Sequence, residues 1–282
     1  MNRLGTSEVV RSAAGYLARH NVESPLPTAE LLMMSVLGTD RTGIYAGNRE
    51  LSTAEAKRFG RALCRRCLGT PTQHLTGEQG FRRLILEVRP GVFVPRPETE
   101  VLVEVALQLV DGLESPSIID VGTGSGAIAL AIKQERPDAR VVATDVSPEA
   151  VALARANAGR LGLDVDVVEG DLLTSVPAHL RGAVDLVVSN PPYVSPEEHG
   201  ELPPDARADP ALALVGGIEV YERLVAEAAE WVGRRHGAVA VEIGASMGHA
   251  VADAAAMAGF AGPITIVLDL TGRPRVVRAR KL

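Results

Sequence analysis

Ser117-Ile118-Ile119-Asp120-Val121-Gly122-Thr123-Gly124-Ser125-Gly126-Ala127, running on into Ile128 to Gln134, decides the fold of this chain. The stretch reads as a buried strand, a glycine turn and then a helix. Glycines at the turn let the backbone bend tightly and let a ligand approach the N–H groups at the helix start. Gly122, Gly124 and Ala127 also satisfy the dinucleotide spacing G-x-G-x-x-G/A. By itself the motif therefore leaves open NAD, another nucleoside cofactor, or a tight turn that binds nothing.

The neighbouring segments narrow the choice. Arg140-Val141-Val142-Ala143-Thr144-Asp145 is a second strand, and its terminal carboxylate stands 23 residues beyond Gly122. A carboxylate there can accept hydrogen bonds from both ribose hydroxyls of a nucleoside, whatever the chemistry at the other end. Asp145 or Ser147 can also cap the helix that begins at Pro148-Glu149. A third strand lies within Asp164-Val165-Asp166-Val167-Val168-Glu169-Gly170-Asp171, where Asp171 is either a partner for an adenine amino group or an exposed turn residue.

A fourth strand, Val184-Asp185-Leu186-Val187-Val188-Ser189, runs into Asn190-Pro191-Pro192-Tyr193. Neither proline has an N–H, so the local ladder cannot continue and their carbonyls remain acceptors. Asn190 adds a side-chain oxygen and Tyr193 a flat ring face. That set suits a planar –NH2 group. The ordinary alternative is a proline-rich turn after a buried strand.

Later strands are expected at Ala238 to Ile243, Ile264 to Leu268 and Arg275 to Ala279. Together the strands make a seven-stranded doubly wound α/β sheet with an antiparallel edge strand. Gly122, Asp145, Asp171 and Asn190 all follow strand ends on one side of it, where such sheets bind their ligands.

Towards the N-terminus the periodicity becomes helical. Residues Thr6 to His20, Thr28 to Leu37 and Thr53 to Leu68 carry apolar residues at helical spacing, separated by Pro25, Pro27, Gly38 and Gly47. Ser52 or Thr53, with Glu55 following, starts the third helix. Phe81 to Val94 reads as a short hairpin around Gly91. The expected organisation is an N-terminal helical domain over 1–79, a hairpin linker over 80–96 and an α/β domain over 97–282.

Composition agrees with a globular protein. The 282 residues are 46% hydrophobic and 23% charged, with a net charge of −6 from 29 basic and 35 acidic side chains. This balance argues against a stable nucleic-acid complex, which needs basic side chains against phosphates. No apolar run reaches the roughly 18 residues of a membrane span, and Met1 to His20 has no apolar signal-peptide region, so the cytoplasm is the expected compartment. Cys64 and Cys67 cannot alone complete a zinc site and fall in a helical stretch, so no metal is expected.

A glycine loop, two acids and Asn-Pro-Pro-Tyr after successive strands resemble the class I S-adenosylmethionine-dependent methyltransferases, in the branch that methylates planar amides and amines. Three further blocks are similar to the HemK/PrmC family of release-factor glutamine methyltransferases. These are Pro71-Thr72-Gln73-His74-Leu75-Thr76-Gly77-Glu78, Pro90-Gly91-Val92-Phe93-Val94-Pro95-Arg96-Pro97-Glu98-Thr99-Glu100, and Val241-Glu242-Ile243-Gly244. Asp209-Pro210 with Gly216-Gly217 resembles it too. Three positions depart from the family pattern: His74, where an aromatic is common, Asp209, where Glu is usual, and Met247, where Gln is frequent.

The resemblance implies a Rossmann-like methyltransferase sheet and S-adenosylmethionine as cofactor, held by Phe93, Arg96, Gly122, Thr123, Gly124, Ser125, Gly126, Asp145, Asp171, Leu172 and Asn190. It implies a substrate glutamine in the Gly-Gly-Gln loop of release factors, bound by Asn190, Pro191, Pro192 and Tyr193, with Asn190, Pro191 and Tyr193 catalytic. Arg96 would meet the methionine carboxylate of the cofactor or the substrate backbone; an ion pair with Glu98 or Glu100 is the other reading. The helical domain would dock the partner, and the enzyme is expected to be a monomer. Two substrates compete with this one: a ribosomal-protein glutamine, and an exocyclic base amine in DNA or RNA, which would require a base-flipping pocket.

Overall fold

The computed structural model describes residues 4–203, 205–233 and 236–282. The chain divides into two compact units, Met1–Glu78 with Pro203–Ala208, and Gln79–Leu202 with Asp209–Leu282.

The first unit is helical: α1 (Thr6–Arg19), α2 (Pro25–Leu37), α3 (Arg41–Gly47), α4 (Thr53–Cys67) and α5 (Thr72–Thr76). Val10, Leu17, Leu32, Met33, Ile44 and Phe59 form its buried core. Ser52 caps α4, its hydroxyl accepting from the Glu55 N–H while Glu55 reaches back to the Ser52 N–H. Pro25 and Pro27, expected to separate helices, instead form the first turn of α2, where a missing N–H has no cost. Apolar spacing also missed α3 and α5, which at seven and five residues are too short to show a period. Cys64 and Cys67 are free thiols on α4.

Strands β1 (Glu78–Phe81) and β2 (Leu84–Glu87) make a hairpin. Its turn is Arg82-Arg83, not Gly91 as the alternation around that glycine predicts. Arg82 takes a left-handed φ of +49°. Its N–H donates to Glu100 Oε1 at 3.0 Å and its guanidinium pairs with Glu135 and Glu104. Gly91, at φ +91°, turns the loop that follows.

After a 3-10 turn at Pro97–Thr99 come α6 (Glu100–Leu109), β3 (Ser117–Val121), α7 (Ala127–Glu135), β4 (Arg140–Asp145), α8 (Pro148–Leu161), β5 (Asp166–Glu169) and β6 (Leu186–Ser189). The chain continues through α9 (Pro196–Glu201), α10 (Ala211–Leu214), α11 (Ile218–Trp231), β7 (Ala238–Glu242), α12 (Gly248–Met257), β8 (Ile264–Leu268) and β9 (Pro274–Arg280). The sheet order is β5-β4-β3-β6-β7-β9-β8. Strand β9 runs antiparallel to both of its neighbours. The antiparallel strand is therefore one place in from the edge, and β8 occupies the edge. Burial explains the order: Val276, Val277 and Ala279 of β9 are buried, whereas β8 leaves Thr265 and Leu268 exposed.

The central strands read as continuous apolar runs because helices cover both faces of the sheet. Ile118 belongs to the core with Leu102, Val105 and Leu130 on one face. Ile119 belongs to the core with Tyr221, Leu224 and Phe260 on the other. One buried polar residue ties the hairpin to this body. Asn157, fully buried on α8, accepts from the Glu87 N–H at 2.8 Å and donates to the carbonyls of Glu87 at 3.0 Å and Ser125 at 2.9 Å. It thus joins β2 to the glycine loop.

Removing this amide strands buried backbone groups, each of which costs about 1–3 kcal/mol when unpaired. Asn157→Ala is expected to lower the unfolding free energy by about 2–4 kcal/mol, read as a lower urea midpoint at unchanged slope.

Candidate active site

Strands β3, β4 and β5 proceed in one direction and β6 starts on the other side of β3. The crevice at such a reversal is where doubly wound sheets bind ligands. Strand register fixes what meets there. Val121 pairs with Thr144 on β4 and with Ser189 on β6, and Ser189 pairs with Val241 on β7. The next residues on these four strands, Gly122, Asp145, Asn190 and Glu242, therefore leave the sheet at one level. The Ser189 hydroxyl reinforces the junction by donating to the Val121 carbonyl at 2.7 Å.

A cavity of about 290 Å³ opens at this edge. Gly122, Thr123, Gly124, Ser125, Asp145, Asp171, Leu172, Phe93 and Asn190 through Tyr193 line it. Gly122 and Gly124 hold φ of +69° and +58°, and a Cβ on either would meet no protein atom within 4 Å. That combination is a turn open to a ligand. Gly126 plays a different part and does not line the cavity. At φ +87° its missing side chain makes room for Leu130 and the Ala154 backbone, so it packs the start of α7 against α8.

Asp145 faces the glycine turn. Its carboxylate accepts from the Gly124 N–H at 2.8 Å and the Ser147 N–H at 2.9 Å, and burial raises its pKa above the usual carboxylate value. The cap of α8 is Ser147, whose hydroxyl accepts from the Ala150 N–H. Asp171 lies more exposed and pairs with Arg223 at 2.8 Å. Beside it Leu172 adopts a left-handed φ of +48°, its carbonyl accepting from the Thr144 hydroxyl. A carboxylate for a diol, an apolar slot and an open glycine turn fit an adenosyl group.

Asn190 donates through Nδ2 to the Thr99 hydroxyl at 3.2 Å, so its Oδ1 faces away from that bond. Pro191 is buried and Tyr193 half-buried. The next turn of chain is pinned by Val194, which donates to the Leu214 carbonyl at 2.9 Å and accepts from Gly216 at 3.1 Å. Gly216 lies so close to the Pro192 carbonyl that a Cβ would stand 2.4 Å from it. The Asn-Pro-Pro-Tyr segment is thereby locked against the 214–216 loop.

Arg96 does not line the cavity. The carboxylate it meets is neither Glu98 nor Glu100 but the buried Asp209, and its guanidinium stacks 5.3 Å from the Phe93 ring. Asp209 also accepts from the Val94 N–H at 3.2 Å. Arg96 thus anchors the loop that carries Phe93.

Sequence reasoning passed over two buried acids. Asp120 is fully buried, with Oδ2 accepting from the Thr123 hydroxyl at 2.6 Å and the Ala129 N–H at 3.1 Å; burial pushes its pKa up to about 7. Glu242 is buried at the end of β7, where burial pushes its pKa up to about 7. A single acid inside an apolar strand, as in Ile119-Asp120-Val121 and Val241-Glu242-Ile243, is the signal that could have found both.

The methyltransferase small domain matches residues 84–202 and the PrmC N-terminal domain residues 8–77. Among known structures, a T. thermophilus 16S rRNA methyltransferase solved with AdoMet and guanosine superposes with a TM-score of 0.54 over 73% of this chain and 50% of that one. At 18% identity this likeness concerns the fold alone. Sequence likeness goes further. A release factor glutamine methyltransferase of Deinococcus radiodurans is 41% identical over 97% of this chain and 98% of its own, and one of Mycolicibacterium smegmatis is 43% identical over 100% and 99%. Similarity at this level along both units, together with Asn-Pro-Pro-Tyr at the switch point of the sheet, means that the chain belongs to the release factor glutamine methyltransferase family.

Proposed function

We propose that this protein is a protein-(glutamine-N5) methyltransferase that methylates the side-chain amide of the Gly-Gly-Gln glutamine in peptide chain release factors. The observation that carries this reading is the Asn190 amide, whose nitrogen is engaged by Thr99 and whose oxygen is left for a substrate beside the Pro191 carbonyl.

S-adenosylmethionine supplies an electrophilic methyl group carried on a sulfonium. Gly122 to Ser125 would hold its polar end, Asp145 its ribose, and Asp171 with Leu172 its base. Phe93 would cover it, held in place by Arg96.

The chain's own task is to make a poor nucleophile react. The lone pair of an amide nitrogen is delocalised into the carbonyl, and no side chain here is a base strong enough to deprotonate it. Asn190 Oδ1 and the Pro191 carbonyl would grip one N–H each, aiming the nitrogen at the methyl group. Both N–H bonds become more acidic as the nitrogen–carbon bond forms, so the two acceptors bind the transition state more tightly than the ground state. After transfer, the alkylated nitrogen is strongly acidic and loses its extra proton to water, which restores the neutral amide. Tyr193 would lie against the amide plane, Pro192 would shape the wall, and the apolar cavity would keep reactants at attack distance. The helical unit would contribute a docking face for the release factor.

The direct test is incubation with S-adenosylmethionine and a release factor, followed by peptide mass spectrometry. One added methyl on the Gly-Gly-Gln peptide is expected; label on a ribosomal protein or on nucleic acid instead would overturn the substrate. Asn190→Ala is expected to lower kcat by about 10²–10³ with little change in cofactor affinity, since it removes an acceptor aimed at developing charge. Asp145→Ala should show the opposite split. Losing a charged acceptor weakens S-adenosylmethionine binding by about 10- to 100-fold in calorimetry.

A further inference from the structure

Leu172 holds a left-handed φ of +48°. For a residue with a branched side chain this conformation is strained, and it persists only where the surroundings impose it. Here both neighbours of Leu172 are held from one helix. Arg223, on α11, donates to Asp171 Oδ2 at 2.8 Å. Glu227, one turn further along, accepts from the Leu173 N–H at 3.3 Å. The strand side supplies the other ties. The Leu172 carbonyl accepts from the Thr144 hydroxyl at 2.9 Å, and the Gly170 N–H donates to the Asp145 carbonyl at 2.9 Å. The Asp171 carbonyl accepts from the Thr174 hydroxyl at 2.7 Å.

All but one of these contacts fix backbone. The contact to Arg223 fixes instead where a charged group points. Asp171 and Arg223 both line the cavity, and their side chains are 57% and 59% exposed. An ion pair so exposed adds little to folding stability, so stability is a weak reason for it. A carboxylate that exposed also samples several rotamers unless a partner restrains it. Arg223 takes Oδ2, and Oδ1 has no hydrogen-bond partner among the described residues. The pair thus presents one oriented, unclaimed acceptor beside the left-handed Leu172.

We infer that Arg223 is a positioning residue, which fixes the Asp171 carboxylate so that it reads the exocyclic –NH2 of a purine, while Glu227 holds the turn behind it. This inference rests on the cofactor site proposed above. An ionised carboxylate can only accept, so an –NH2 satisfies it and a C–H at the same position does not. A site built to pair with a donor discriminates against the analogue that lacks one. That discrimination depends on holding the acceptor still. Once Arg223 is gone, the carboxylate can swing out to water, and the site loses its preference while keeping its shape.

The test needs no release factor. Calorimetry compares S-adenosylhomocysteine with its analogue in which hydrogen replaces the purine –NH2. Wild type should bind the adenosyl form about 10-fold more tightly, the worth of one hydrogen bond to a charged group in an open site. Arg223→Ala should weaken the adenosyl form by about 5-fold, leave the analogue nearly unchanged, and so remove most of the preference. Its urea midpoint should stay close to that of the wild type, because the lost pair is exposed. Arg223→Lys keeps a cation that can reach one carboxylate oxygen and should recover most of the preference. A merely structural role for Arg223 would weaken both ligands alike. Equal weakening in Arg223→Ala, or an unchanged preference, would overturn the inference. A wild type with no preference would remove Asp171 from the base site altogether, and the cofactor placement would fall with it.

Discussion

The pairing of Val121 with Thr144 and Ser189, and of Ser189 with Val241, sets the level at which four strands end, and the candidate site depends on it. A slip of one residue in any of these strands would turn its site residue to the opposite face of the sheet. Register is strongly specified here because both faces are buried, so Ile118 and Ile119 cannot exchange places without exposing one core and overfilling the other. Packing that seems remote from the chemistry thereby determines where Gly122, Asp145, Asn190 and Glu242 emerge.

On that frame the loops divide the work. Glycine turns leave space, and prolines leave carbonyls without a competing local donor. The loops that close the cavity are then tied down by buried polar contacts. Asp209 holds Val94 and Arg96, Gly216 admits the Pro192 carbonyl, and Asn157 ties the glycine loop to β2. Each tie joins segments far apart in sequence, which keeps the spacing of the acceptors independent of any one flexible loop. Amide methylation demands this rigidity, since its rate rests on aiming a weak nucleophile and not on removing a proton.

What was legible in the sequence follows a physical divide. Strand ends with distinctive chemistry, such as Asp145 and Asn190-Pro191-Pro192-Tyr193, advertise themselves because local residue types determine them. The Ser52 cap is legible for the same reason. Features set by long-range pairing were not. The strand order of β8 and β9 depends on which strand is better buried, a property of the assembled sheet. The hairpin turn at Arg82-Arg83 carries no turn residue at all. Its left-handed arginine is held by Glu100, Glu104 and Glu135, which are distant in sequence, so the glycine at 91 was the more attractive choice and the wrong one. Arg96 was read as meeting the cofactor, the substrate backbone or its acidic neighbours Glu98 and Glu100, whereas its partner, Asp209, is 113 residues away.

The buried acids extend this lesson from reading to mechanism. Asp120 and Glu242 occupy strand positions where an apolar side chain would pack without penalty, and in both cases burial opposes the charged form. Asp120 accepts from the Thr123 hydroxyl, and Thr123 stands at the cavity wall. A hydroxyl between a carboxylate and a ligand site transmits polarity: the acid takes its proton and leaves its oxygen as an acceptor for whatever comes next. The Thr99 hydroxyl, at the same wall, faces the Asn190 nitrogen. The same element that resists burial is thus the one able to impose a direction on its neighbours, because an ionised carboxylate is the only side chain in this cluster that cannot donate.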